Sequence, residues 1–115
     1  MHSDFNSPNI IVDRIGGHWV VVGVLDWEFA FSGSQLFDIG NMLRYERRSR
    51  PCLEPHFSAG FVENGGALPG NWRELSRVVD LTALCEFLTR PALPETIIHE
   101  VVELISATLD GREAQ

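Results

Sequence analysis

Residues 9–26 read Asn-Ile-Ile-Val-Asp-Arg-Ile-Gly-Gly-His-Trp-Val-Val-Val-Gly-Val-Leu-Asp. Two β-branched runs, 9–13 and 19–25, flank Gly16-Gly17. A glycine pair between such runs signals a two-residue hairpin turn, because both central positions of that turn need the left-handed φ that glycine adopts without a steric penalty. Pairing outward from the turn sets Asn9 opposite Val24 and Asp26 opposite Ser7. The open end of the hairpin then gathers Asp4, Asn9 and Asp26.

Two carboxylates and an amide oxygen are hard donors. They suit Mg²⁺, which takes few protein oxygens and fills its other positions with water and substrate phosphates; softer metals prefer other ligands. One of the three need not be a ligand. A carboxylate a few ångströms from a metal-bound phosphate is placed to accept a proton from an incoming hydroxyl, and Asp4 suits that task.

The residues before the hairpin, His2-Ser3-Asp4-Phe5-Asn6-Ser7-Pro8-Asn9, resemble the H-x-D-x4-N catalytic loop of the protein-kinase-like small-molecule phosphotransferases, the aminoglycoside phosphotransferase and choline kinase group. Val24-Leu25-Asp26-Trp27-Glu28-Phe29-Ala30 resembles the metal-binding segment that ends the family's next hairpin. Phe37-Asp38-Ile39-Gly40-Asn41 resembles the acidic helix start that follows. Singly, each match has an ordinary explanation: Asx turns helped by Pro8 for Asp4 and Asn9, a helix cap for Asp38. Together, in order and at the motif spacings, they point to one fold.

The resemblance implies an ATP- and Mg²⁺-dependent O-phosphotransferase that moves a γ-phosphoryl group to a hydroxyl of a small molecule. It implies Asp4 as the catalytic base and Asn9 and Asp26 as holders of the Mg²⁺ ions that bridge the nucleotide phosphates. His2 would brace the loop, Asp38 would support it from a helix terminus, and Glu28 would reach a metal-bound water. Ser3 stands where the small-molecule group usually has Gly; related protein kinases carry Arg there, so a side chain is compatible with the loop. The motifs cover residues 2–45, and the remainder resembles the family only in being helical.

Within that resemblance, the chain starts where the catalytic loop starts. The expectation is a single domain over residues 1–115, a partial C-terminal lobe without its nucleotide-binding lobe. None of the nine basic residues is a lysine, so the strand lysine that grips the α- and β-phosphates in kinase-like enzymes is not among them. Neither G-x-G-x-x-G nor a P-loop pattern occurs. The isolated chain is therefore expected to be inactive. A non-catalytic module that keeps the fold and self-associates is the alternative, with a homodimer forming through surface that the missing lobe would cover.

A formal net charge of −7 argues against nucleic acid or an anionic membrane surface as partner. No leader pattern and no apolar run of membrane-spanning length occurs, so the expected location is cytoplasmic. Cys52 and Cys85 lack motif spacing and read as unbridged. Arg44, Arg47, Arg48 and Arg50 read as a solvated helix end.

The expected fold class is α+β: the hairpin packed on about four α-helices, like part of a kinase-like C-terminal lobe. The first helix starts near Ser34 or Asp38 and runs to about Arg48; a short one spans about 56–63. Asn71-Trp72-Arg73-Glu74 has capping-box spacing, and Leu75, Val78, Val79, Thr82 and Cys85 repeat at helical period toward Pro91. Pro94 and Glu95 start the last helix, whose Ile97, Ile98, Val101, Val102, Ile105 and Leu109 form its expected apolar stripe before Gly111 and a frayed tail.

Overall fold

The structure, a computed structural model, describes residues 1–48 and 50–111; the side chain of Arg47 and the tail after Gly111 lie outside the described residues. β1 (Ile10–Ile15) and β2 (His18–Val24) form an antiparallel two-stranded sheet. Gly16 and Gly17 turn between them with φ of +58° and +80°. Four helices follow: α1 (Leu36–Met42), α2 (Glu54–Glu63), α3 (Trp72–Phe87) and α4 (Glu95–Leu109). Single 3₁₀ turns at Ser7–Asn9 and Glu46–Arg48 complete the α+β fold.

The hairpin register departs from the simple count. Ile15 pairs with His18 and Val12 with Val21, as the turn dictates, but Ile11 pairs with Gly23 and Ile10 with Val24. Val22 is thus an extra residue on β2, a β-bulge that shifts everything beyond it by one position. Asn9 accordingly meets Leu25 rather than Val24, and the Leu25 N–H donates to the Asn9 carbonyl at 2.7 Å.

α1 is shorter than expected. Ser34 does serve its start, its Oγ accepting the Leu36 N–H at 3.2 Å, but the helix ends at Met42 and Glu46 takes a different task. Its buried carboxylate accepts the N–H groups of Leu53 (2.9 Å) and Glu54 (2.6 Å), satisfying donors that the first turn of α2 leaves unpaired. The expected capping box at α3 is absent, since the Asn71 side chain makes no capping bond. Pro94 sits just before α4, where its carbonyl accepts from Ile97 and Ile98.

The apolar core lies between α3 and α4: Leu84, Val101 and Leu104, with Leu81, Phe87, Ile97 and Ile105 packed against them. Two expected stripes are corrected here. Val78, Thr82 and Cys85 of α3 are exposed, and so are Ile98, Val102 and Leu109 of α4. The inward face of α3 is instead Trp72, Ser76, Asp80 and Leu84. Polar residues are tolerated there because α1 comes very close: a methyl group at Gly40 would overlap the Ser76 carbonyl.

Arg44 reaches across this contact to Asp80 in a two-pronged ion pair, Nε to Oδ2 at 2.8 Å and Nη2 to Oδ1 at 2.7 Å. Burial opposes the charge on the Arg44 guanidinium, but the hydrogen bonds and charge of Asp80 outweigh it and raise its pKa. Arg44 is therefore no part of a solvated basic end. Arg48 is half-exposed and pairs with Glu100 and Glu103 of α4. Cys52 and Cys85 are free, exposed thiols. Among the described residues no helix is long and apolar enough to cross a membrane.

Candidate functional site

The loop before β1 is built from local hydrogen bonds. Asn6 Nδ2 donates to Asp4 Oδ1 at 2.9 Å, and Asn9 Nδ2 donates to both Asp4 Oδ2 (3.1 Å) and the Asp4 carbonyl (2.8 Å). Each oxygen of the Asp4 carboxylate therefore receives one amide N–H, which sets its plane and leaves a lone pair on each for another donor. With both Asn9 N–H groups committed to Asp4, the amide oxygen Oδ1 is the atom left to face a cation. Sequence reasoning did not single out Asn6. Its only signal was its place two residues beyond a carboxylate, within reach of a side chain folding back.

His2 is buried and holds the loop from beneath. The Asp4 N–H donates to His2 Nδ1 at 3.1 Å, so the ring proton belongs on Nε2, which donates to the Leu25 carbonyl at 2.6 Å. Trp27 closes over the ring, with centroids 4.5 Å apart. Asp38, in the first turn of α1, accepts the backbone N–H groups of His2 and Ser3, each at 2.8 Å. Its carboxylate thus clamps the loop instead of capping its own helix.

Ser3 has φ of +70°, a left-handed conformation that accounts for a glycine preference at this position. Its Oγ donates to the Phe29 carbonyl at 2.6 Å, and Met1 exchanges two bonds with Phe31. The 25–31 segment is therefore tied to the loop at Leu25, at Phe29 and at Phe31. Asp26 lies between these ties, also left-handed at φ +60°, which an Asp tolerates better than most side chains.

Asp4, Asn9, His2 and Asp38 are thus joined by hydrogen bonds. Asp26 and Glu28 are held on the adjoining segment by their neighbours' backbones, and both are exposed; neither side chain bonds another group among the described residues. No three His, Cys, Asp or Glu side chains cluster as a metal cage among the described residues. The donor set fits Mg²⁺ on chemical grounds: the Asn9 amide oxygen and the Asp26 carboxylate are hard oxygens, and Mg²⁺ is content with one or two protein ligands plus phosphate and water.

The Asp4 carboxylate is thus oriented by the amides of Asn6 and Asn9, and the exposed Asp26 follows the hairpin on the segment tied to that loop. A model of the phosphotransferase enzyme family (APH) matches residues 1–76, from the loop through the start of α3. With 76 of 115 residues matched, the chain belongs to this family. The match runs well past residue 45, where the readable motifs end. No curated protein and no solved structure matches the chain.

Proposed function

We propose that this chain carries the catalytic-loop portion of an ATP- and Mg²⁺-dependent phosphotransferase that moves a γ-phosphoryl group to a hydroxyl of a small molecule. The observation that carries the reading is the Asp4 carboxylate, held by one asparagine amide on each oxygen. A base fixed in this way meets a substrate hydroxyl without first giving up its own rotational freedom.

Asp4 orients the hydroxyl and accepts its proton as the oxygen bonds to the γ-phosphorus and the bond from that phosphorus to the departing ADP oxygen breaks. Asn9 Oδ1 and Asp26 would hold Mg²⁺, and Glu28 would reach a water on it. Bound there, Mg²⁺ would neutralise charge on the phosphate oxygens. His2 and Asp38 keep the loop in register with Leu25 and α1. With no lysine in the sequence, these residues hold the nucleotide only through the cation, so weak binding is expected and turnover by these 115 residues alone is not. The acidic net charge favours a neutral or cationic acceptor over nucleic acid, and ATP as donor suits a cytoplasmic setting.

Thermal melting tests the reading. Mg²⁺ and ATP together should raise Tm, and Asp26→Asn should abolish the rise while leaving the melting of the free chain unchanged. Asn is the right replacement because it tolerates the left-handed backbone at 26 and removes only the charge. A rise that survives Asp26→Asn, or no rise with any nucleotide, would count against the reading.

A further inference from the structure

We propose that Trp27 is the positioning residue of Asp26: its indole N–H holds the left-handed turn from which the Asp26 carboxylate meets the cation. The inference rests on the reading of Asp26 as a Mg²⁺ ligand and adds the group that aims it. Asp26 is exposed, and its φ of +60° is a conformation that a residue with a side chain leaves unless its neighbours hold it. The two peptide groups before it are each held by a ring. His2 Nε2 donates to the Leu25 carbonyl at 2.6 Å, and Trp27 Nε1 donates to the Val24 carbonyl at 2.7 Å.

His2 is buried and belongs to the loop, whereas Trp27 is 55% exposed and packs as no core residue does. Its side chain folds back from residue 27 to residue 24 and so closes a ring of atoms through Leu25 and Asp26. A phenyl ring could cover His2 equally well at the same 4.5 Å, but it has no donor for the Val24 carbonyl. Beyond the turn, the Ala30 N–H donates to the Trp27 carbonyl at 2.9 Å, so residue 27 is anchored at its side chain and at its backbone. The indole bond is open to water and adds little to the stability of the chain; what it supplies is direction. A carboxylate that must meet a cation together with Asn9 Oδ1 loses affinity when its backbone wanders, and groups that orient a metal ligand from behind typically contribute about 10–100-fold.

Nitrogen-15 relaxation of the chain without metal or nucleotide reads the hold separately from any phosphotransfer. The order parameter of the Asp26 amide should lie near the ~0.85 of rigid backbone in the wild-type chain and fall below ~0.6 in Trp27→Phe, with the Asp4 and Asn9 amides and the melting of the chain unchanged. Trp27→benzothienylalanine keeps the bicyclic shape with sulfur in place of the N–H, and should loosen Asp26 in the same way. Trp19→Phe, at an exposed position of β2, should leave Asp26 as it is. The Mn²⁺-ATP concentration that broadens the Asn9 amide should rise about tenfold in both position-27 variants. An Asp26 amide as rigid in both variants as in the wild-type chain, or a looser one with the Mn²⁺ requirement unchanged, would overturn the proposal. A wild-type chain indifferent to Mn²⁺-ATP, with Asp26 still loosened in the variants, would count against the phosphotransfer reading and sustain the hold.

Discussion

The loop at residues 2–9 and the hairpin that follows it are neighbours in sequence and opposites in physics. In the loop, His2 and Asn9 are buried, the Asp38 carboxylate receives two backbone donors, and no buried side-chain nitrogen or oxygen among the described residues lacks a partner. In the hairpin, order rests on a ladder between two strands while Val, Ile and Trp side chains face outward. A polar network carries its geometry with it, because each bond specifies a direction. An apolar sheet carries only the demand to be covered. The site's shape is thus set by directed bonds from the loop to the 25–31 segment and α1, while the stability of its platform depends on what lies against it.

Substitutions can break or sharpen that contrast. The largest loss is expected from Asp80→Ala, which strands the buried Arg44 charge at the contact between α1 and α3. Urea unfolding should show about 3–5 kcal/mol less stability. Asp38→Ala removes the acceptor of two loop N–H groups and should lower stability by roughly 3 kcal/mol. Amide exchange should quicken at His2 and Ser3 more than in β1 and β2; equal quickening would mean the loop is not self-contained.

Ser3→Ala keeps the left-handed backbone and loses the bond to Phe29, at about 1 kcal/mol. Ser3→Gly should fall within about 1 kcal/mol of the wild-type chain, since relief of strain offsets the lost bond and the added freedom of the unfolded chain. The smallest effect is expected from Val21→Thr in the monomer, about 0.5 kcal/mol or less, because its side chain is already half in water.

Much of this arrangement was legible in the sequence. Gly16-Gly17 fixed the turn, and the spacing of His2, Asp4, Asn9 and Asp38 announced the loop that hydrogen bonds now join. The bulge was not legible: Val20, Val21 and Val22 are all apolar, so no alternation marks which of them drops out of register. The inward face of α3 was hidden too. Ser76 and Asp80 look like solvent residues until Gly40 lets α1 approach and Arg44 supplies the counter-charge, and both partners lie more than 30 residues away in sequence. The premature end of α1 has a similar cause, since Glu46 is recruited to donors at Leu53 and Glu54.

Whether Asn9 and Asp26 face one cation is tested most directly by paramagnetic broadening. Mn²⁺ with ATP, added in small amounts to nitrogen-15-labelled chain, should broaden the amide signals of Asn9, Asp26 and their immediate neighbours first, with the Asn9 side-chain amide among them. The signals of α4 should be untouched. Broadening that begins at the glutamates of α4, or that reaches Asp26 and spares Asn9, would contradict a shared site.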